Sequence, residues 1–332
     1  MNFPLMPDQA SNFARPYDAL FFVLTALTIL FTILVGALVL FFAVRYRKGS
    51  RVDRSGAVES HLGLEITWTA IPLLLGLVMF WWAAKLYVET RQPPKDAMEV
   101  FVIGKQWMWH LQHSNGVREN NELHVPVGVP VRLTMISQDV IHSFFVPQFR
   151  IKQDVLPGRY TQQWFVASKP GKFNLFCAEY CGTQHSEMGG YIYAMPPQEF
   201  QKWLASGGDK KRPNQPTMAD LGKALYDRLA CANCHGPQDT ERGPSLYGLY
   251  GAKRRMTDGT VVEADASYIR ESIKNPYAKI NESYQNTMPE YRELTEEDLL
   301  NLLAYIRTLG TAKAPGPVLG NAGPAQIGGA NR

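Results

Sequence analysis

Cys177-Ala178-Glu179-Tyr180-Cys181-Gly182-Thr183-Gln184-His185-Ser186-Glu187-Met188 is the stretch that decides how the rest of the chain is read. It brings two thiols, an imidazole and a thioether into one short loop. Soft sulfur ligands select copper or zinc, and a weak Met thioether favours a copper electron-transfer site. A structural zinc site would use the Cys and His side chains but gain little from the Met. A disulfide between Cys177 and Cys181 would leave His185 and Met188 unexplained. Copper is the reading that uses all four side chains.

Outward from that loop lie short alternating stretches: Met98–Ile103, Val131–Ile136, Tyr160–Val166 and Lys172–Phe176. The turn pairs Asn115-Gly116, Val127-Gly128, Pro157-Gly158 and Pro170-Gly171 separate them. This spacing predicts an all-β sandwich or small barrel over residues 96–205. His142 sits between apolar residues in Val140-Ile141-His142-Ser143-Phe144. Taken alone, such a histidine is more often a satisfied structural residue than a ligand.

Upstream, Ala19–Val44 contains no charged residue and exceeds the roughly 20 residues a bilayer core requires. Ile66–Ala84 is just long enough, and its Trp81-Trp82 pair suits the headgroup level. Residues 19–95 therefore predict a transmembrane helical hairpin behind an external segment, residues 1–18. The first run is too long for a signal-peptide core and lacks a basic leader. Between the two runs stand Arg45, Arg47, Lys48, Arg51 and Arg54 against Asp53 and Glu59. The positive-inside rule puts that loop in the cytoplasm and both termini outside.

Downstream, residues 206–216 form a polar linker rich in Gly, Lys and Pro. A helical pattern over Met218–Leu229 then leads into Cys231-Ala232-Asn233-Cys234-His235. C-x-x-C-H is the attachment signature of c-type haem: the thiols bind the porphyrin covalently and His235 becomes the proximal iron ligand. A Met as second axial ligand raises the haem potential. Met288, in Asn286-Thr287-Met288-Pro289, is the preferred candidate. Met256 follows Arg254-Arg255 in what reads as a charged loop, and Met218 reads as helix core. Leu294–Leu309 has Leu299, Leu302, Leu303 and Ile306 at helical spacing behind the cap Thr295-Glu296-Glu297-Asp298. It closes an all-α domain over residues 217–310. Residues 311–332, rich in Ala, Gly and Pro, predict a disordered tail.

The four cysteines are thus assigned in two pairs, unlike the spread cysteines of a secreted disulfide scaffold. With 34 basic and 30 acidic residues, a net +4, nothing suggests nucleic-acid binding.

The pattern C-x-E-x-C-x-x-x-H-x-x-M, joined by His142 and followed by a C-x-x-C-H domain, resembles subunit II of cytochrome c oxidase of the caa type. The resemblance covers Ala19 to Leu309. It implies a cupredoxin-like sandwich in which Cys177 and Cys181 bridge two copper ions. His142 and His185 each cap one ion, Met188 is a weak ligand, and Glu179 contributes its backbone carbonyl. The Glu179 side chain would reach a magnesium or manganese ion shared with subunit I. Two coppers sharing one electron change their bond lengths little on redox, so electrons hop with little driving force. Gln106-Trp107-Met108-Trp109 resembles the family's aromatic strand, which implies electron entry at Trp107; both rings could equally be core or interface aromatics. Glu65, in Leu64-Glu65-Ile66-Thr67-Trp68, resembles a Glu at a proton-uptake entrance, although a helix-end carboxylate can simply face water. Gly243-Pro244-Ser245-Leu246-Tyr247-Gly248-Leu249-Tyr250-Gly251 resembles the loop shielding the proximal side of the haem.

The implied function is a relay. An external donor, cytochrome c or another small redox protein, reduces a covalently bound haem c. The dinuclear copper then passes electrons to the haem of subunit I, where oxygen becomes water and protons are pumped. Subunits I and III and the lipid of a bacterial plasma membrane are the implied partners, with both redox domains on the outer face. The similar numbers of acids and bases suggest that the linker keeps the cytochrome near the copper by tethering, not by charge steering. Quinol oxidases resemble this subunit but lack the copper ligands. Nitrous oxide reductase carries a similar copper domain in a soluble enzyme, and copper-delivery factors lack covalent haem.

Overall fold

The structure, a computed structural model, describes residues 6–53, 55–56, 60–208 and 216–309. Most of the expected linker and all of the expected tail lie outside the described residues. The chain divides into two compact units, residues 12–92 and the remainder.

The first unit is a pair of long helices, α1 (Ala14–Arg45) and α2 (Leu62–Arg91). With 32 and 30 residues at about 1.5 Å rise each, both exceed the ~30 Å hydrocarbon core. They outrun the apolar stretches because helix continues through polar flanks such as Arg15, Asp18 and Arg91. The apolar window of neither helix is buried within the chain, which fits a membrane anchor and would be an unusual apolar surface in water. At the start of α2, His61 Nδ1 accepts from the Leu64 amide at 3.1 Å, and Glu65 accepts from the His61 amide at 3.2 Å. The Leu64 amide, one of the donors a helix start leaves open, and the amide of the cap residue are thereby satisfied.

The second unit contains two five-stranded sheets. One has the order β3-β2-β1-β5-β8, from β1 (Met98–Lys105), β2 (Met108–His113), β3 (Arg118–Asn120), β5 (Pro130–Ser137) and β8 (Thr161–Val166). The other has the order β4-β10-β9-β6-β7, from β4 (Glu122–Pro126), β6 (His142–Val146), β7 (Ile151–Val155), β9 (Gly171–Cys177) and β10 (Gly189–Met195). Alternation drives the packing: in β9, Phe173, Leu175 and Cys177 are buried while their neighbours are exposed. Trp109, Leu123, Leu133, Met135, Phe144 and Phe165 fill the sandwich core. Residues before α1, expected only as an external segment, lie on this sandwich: the Ala10 amide donates to Gln148 O and Ser168 donates to Ala10 O. A short helix, α3 (Pro197–Ala205), seats Trp203 against His124 with ring centroids 4.4 Å apart. There His113 and His124 both bond the buried Glu119, at 2.8 and 2.5 Å. Burial works against that charge, but the two imidazoles hold the Glu119 carboxyl below its ordinary range.

The helical part comprises α4 (Met218–Arg228), the hairpin β11–β12 (Lys253–Arg255, Val261–Glu263), α5 (Ala266–Lys274) and α6 (Glu296–Thr308). Capping boxes start α4 and α6: Thr217 with Asp220, and Thr295 with Asp298. The two helices cross at Gly222, where an added Cβ would sit 1.9 Å from the Asn301 carbonyl oxygen. Only glycine lets the backbones approach so closely. Gly222→Ala should therefore force them apart and cost about 1–3 kcal/mol, as overpacking does. Denaturant unfolding followed by far-ultraviolet circular dichroism checks this, and an unchanged midpoint would contradict the close crossing.

The helical part is not separate from the sandwich. Phe101, Ile103, Ile136 and Tyr160 share one buried cluster with Met218, Leu249, Ile269, Leu300, Leu303 and Ile306.

Two candidate redox centres

The first centre is built by strand register. In the antiparallel pair β6–β9, Phe144 lies opposite Cys177. His142 is two residues from Phe144, so it shares that face and stands diagonal to Cys177. Its Nδ1 is 4.0 Å from Cys177 Sγ. Beyond β9 the loop turns back on itself: the Cys177 amide donates to Met188 O at 3.0 Å and His185 donates to Gly182 O. This folding puts Cys181 Sγ at 3.8 Å from Cys177 Sγ, 3.5 Å from His185 Nδ1 and 3.7 Å from Met188 Sδ. The Glu179 carbonyl lies 3.3 Å from Cys177 Sγ. A sulfur pair 3.8 Å apart is not a disulfide, whose bond is ~2.05 Å. His142, Cys177 and Cys181 are all buried, with ligand atoms within 4.8 Å of one another. Buried soft donors at this spacing fit copper.

The electrostatics are divided between the thiols. Burial opposes charge on Cys177, but its contacts with His142 and the Glu179 backbone bring it down to about 6. Burial and the neighbouring Cys177 charge push Cys181 up to about 12. One thiolate forms readily; the second proton is displaced when a cation replaces it.

Asp139, absent from the sequence reading, accepts from His142 Nε2 at 2.7 Å. That bond turns Nδ1 toward the sulfurs, as carboxylates do for metal-bound imidazoles. Asp139 also accepts from the Gln106 amide at 2.7 Å, while Gln106 Nε2 donates to Cys181 O at 2.7 Å. Its signal was an acidic residue three positions before a candidate ligand. Trp109 sets its ring edge-on to His142, centroids 5.9 Å apart. Trp107 borders Gly182 of the ligand loop, where an added Cβ would meet its ring at 3.3 Å. Glu65 stays at the cap of α2, in the other unit.

The second centre is a cleft of about 430 Å³ lined by Cys231, Cys234, His235 and Met288. Leu249, Ile269, Leu302 and Ile306 supply its apolar wall. His235 Nδ1 donates to Pro244 O at 2.7 Å, so Nε2 is the ring nitrogen that could meet a metal. Tyr226 Oη donates to His235 O at 2.6 Å. Arg254, on β11, also lines the cleft, and its buried Nε has no partner among the described residues. A buried, unsatisfied arginine Nε beside two thiols and an apolar wall fits the polar and apolar parts of a haem c. Met256 is buried, not in an open charged loop: its amide bonds Thr260 O across the hairpin turn, and it does not line the cleft. Met218 is buried too, but in the cluster shared with the sandwich.

A sulfur-rich buried cluster, a haem-type cleft and two long apolar helices define a membrane-anchored electron-transfer protein. Residues 116–195 match the family described as Cytochrome C oxidase subunit II, periplasmic domain, and residues 219–310 match Cytochrome c. Cytochrome c oxidase subunit 2 of Thermostichus vulcanus is 31% identical over 280 residues, covering 68% of this chain and 83% of the relative. That of Alkalihalophilus pseudofirmus is 29% identical over 294 residues, covering 84% and 83%. A crystal structure of the periplasmic domain of subunit II of cytochrome oxidase (CoxB) of Bradyrhizobium japonicum is 30% identical with a TM-score of 0.35, covering 36% of this chain and 100% of that one. The chain belongs to the cytochrome c oxidase subunit 2 family. It is a subunit II of a haem-copper oxidase that carries its own cytochrome c domain, and its role is electron transfer. That membership implies copper in the sandwich, haem c in the helical domain, and other oxidase subunits with an electron donor as partners.

Proposed function

We propose that Cys231, Cys234, His235 and Met288 would hold haem c in the cleft they line, and that the cytochrome domain would thereby accept electrons from an external cytochrome c or similar small redox protein. In the sandwich, Cys177, Cys181, His142, His185, Met188 and the Glu179 carbonyl would hold a copper pair, which would supply one-electron redox chemistry there. Such a pair stores and releases one electron with little rearrangement. Around it the protein's own side chains do the positioning: Asp139 orients His142, and the Cys177–Met188 backbone bond closes the loop. The copper domain then delivers to subunit I, where oxygen is reduced to water and protons are pumped.

Val140, Ile141, Phe176 and Tyr180 are exposed around the ligand loop, which supports an apolar seat for subunit I there. The Glu179 side chain is exposed and available to a magnesium or manganese ion shared with that subunit. Trp107, beside Gly182, serves as an entry residue, and Glu65 as a proton entrance. Subunit III completes the assembly. The basic loop after α1 supports an orientation with both termini and both redox domains on the outer face of a bacterial plasma membrane.

One observation carries the reading: two thiols, an imidazole and a thioether on one loop and a second imidazole on the adjacent strand, with the two thiol sulfurs 3.8 Å apart and unbonded. The test is metal analysis of the purified intact chain with its optical spectrum. Two coppers per haem iron are expected, with a c-type α band and the near-infrared absorption of mixed-valence copper. Zinc alongside iron would overturn it.

A further inference from the structure

The face on which the cytochrome meets the sandwich is built as a clamp. Glu99, on the outward face of β1, pairs with Arg307 of α6 and with Arg132 of β5, the latter at 3.2 Å. It also accepts from Thr134 Oγ1 at 2.9 Å. The Arg307 guanidinium lies 4.5 Å from the Tyr250 ring centre. A second tie runs through Arg270, which grips Glu296 with two bonds, 2.9 and 2.6 Å, and donates to Gly158 O of the sandwich at 3.0 Å. A third is Arg118 of β3 with Glu297 at 2.5 Å. Between them lies the apolar centre, Phe101, Ile103 and Ile136 against Leu300, Leu303 and Ile306. Glu99, Arg132 and Arg307 are mostly buried, with side chains 12%, 17% and 23% exposed. Salt screens such a group far less than a surface pair, and three separated ties fix orientation as well as distance.

That orientation has consequences for both centres. Leu249, Ile269 and Ile306 belong to the interface cluster and also line the haem cleft. One wall of the cleft therefore backs onto β1. The same strand runs from Ile103 to Gly104, which lies so close to His142 that an added Cβ would be 3.0 Å from its ring. Packed protein thus connects the cleft wall to a candidate copper ligand. Beside the haem-attachment cysteines, Ala232 and Asn233 are exposed, as are Gln285, Asn286 and Thr287. The mouth of the cleft stays open to solvent.

We propose that Glu99 is a positioning residue that clamps the cytochrome domain on the outer face of the sheet. In this pose its haem cleft backs onto β1 and its mouth stays open to the incoming donor. The purpose of the clamp rests on the electron-relay reading above; the docking does not. Tethering by the linker alone would leave the domain many orientations, whereas the clamp leaves one.

The test is a distance measurement by pulsed electron paramagnetic resonance on the full chain carrying its copper and haem. Spin labels are placed at Lys152→Cys on β7 and Asp258→Cys at the hairpin turn, both exposed sites. The labels are gadolinium(III) chelates, which ascorbate does not reduce, so the protein can be reduced with ascorbate to make both metal centres diamagnetic while the labels stay visible. The parent chain should give one narrow distance, retained in added salt. Glu99→Gln and Arg307→Gln should each broaden it while leaving the copper and haem spectra unchanged, and haem-to-copper electron transfer should slow in both. A broad distribution in the parent, or a narrow one that survives both substitutions, would overturn the clamp. Missing copper or haem in the parent would instead strike the relay reading, whatever the distance shows.

Discussion

Cys177→Ser should strip the copper from the chain and leave its haem in place. Cys177 is the last inward position of β9, and its sulfur touches His142, Cys181 and the Glu179 carbonyl. A hydroxyl of nearly the same size fills that space, so the sandwich should still fold. It cannot, however, replace a thiolate: serine is a hard, protonated donor at neutral pH, and copper selects soft ones. Losing an outer-shell partner of a metal ligand costs about 10–100-fold in affinity, and a bridging ligand should cost more. Metal analysis should find copper close to absent and the near-infrared absorption gone, while the α band keeps its position and height. The haem cleft draws on none of the copper ligands, so equal losses in both spectra would mean that the two centres are not separate. Two coppers retained after the substitution would remove Cys177 from the ligand set.

The gathering of Cys177, Cys181, His185 and Met188 was legible because they fall within one short stretch of chain, and the structure brings them together. The haem motif was legible for the same reason. His142 needed the family resemblance, since nothing in a single apolar stretch says which strand will lie beside it. Asp139 was missed because an acid before a strand has no periodicity to mark it. The interface was missed although two signals were present. Val100 to Ile103 is an unbroken apolar run, the mark of a strand buried on both faces. In α6, Leu299, Leu300, Leu302, Leu303 and Ile306 cover more than one stripe of the helix, which asks for two partners. The overall balance of acids and bases hid the clamp, because Glu99–Arg307, Arg270–Glu296 and Arg118–Glu297 contribute no net charge. Charge counts measure steering at long range; ties between docked surfaces depend on which residues meet.

Met288→Ala should lower the haem potential while leaving the haem covalently attached and the copper spectrum unaltered. In the proposed arrangement attachment would depend on Cys231 and Cys234, which the substitution does not touch. Pro289 restricts the residue before it to extended backbone, so Met288 is presented from a stiff loop, and it lines the cleft that His235 also lines. A thioether opposite an imidazole raises the potential of a c-type haem. Water or a stray side chain in its place should bring the potential down by more than about 0.1 V, a modest part of the ~0.8 V that axial ligation spans. The iron–sulfur charge-transfer band of the oxidised protein should vanish with it. Met256→Ala is the control: Met256 is buried in the β11–β12 hairpin and does not line the cleft, so its removal should leave both the potential and that band in place. If Met256→Ala lowers the potential and Met288→Ala does not, the iron is held from the hairpin side and the assignment of the axial ligand is reversed.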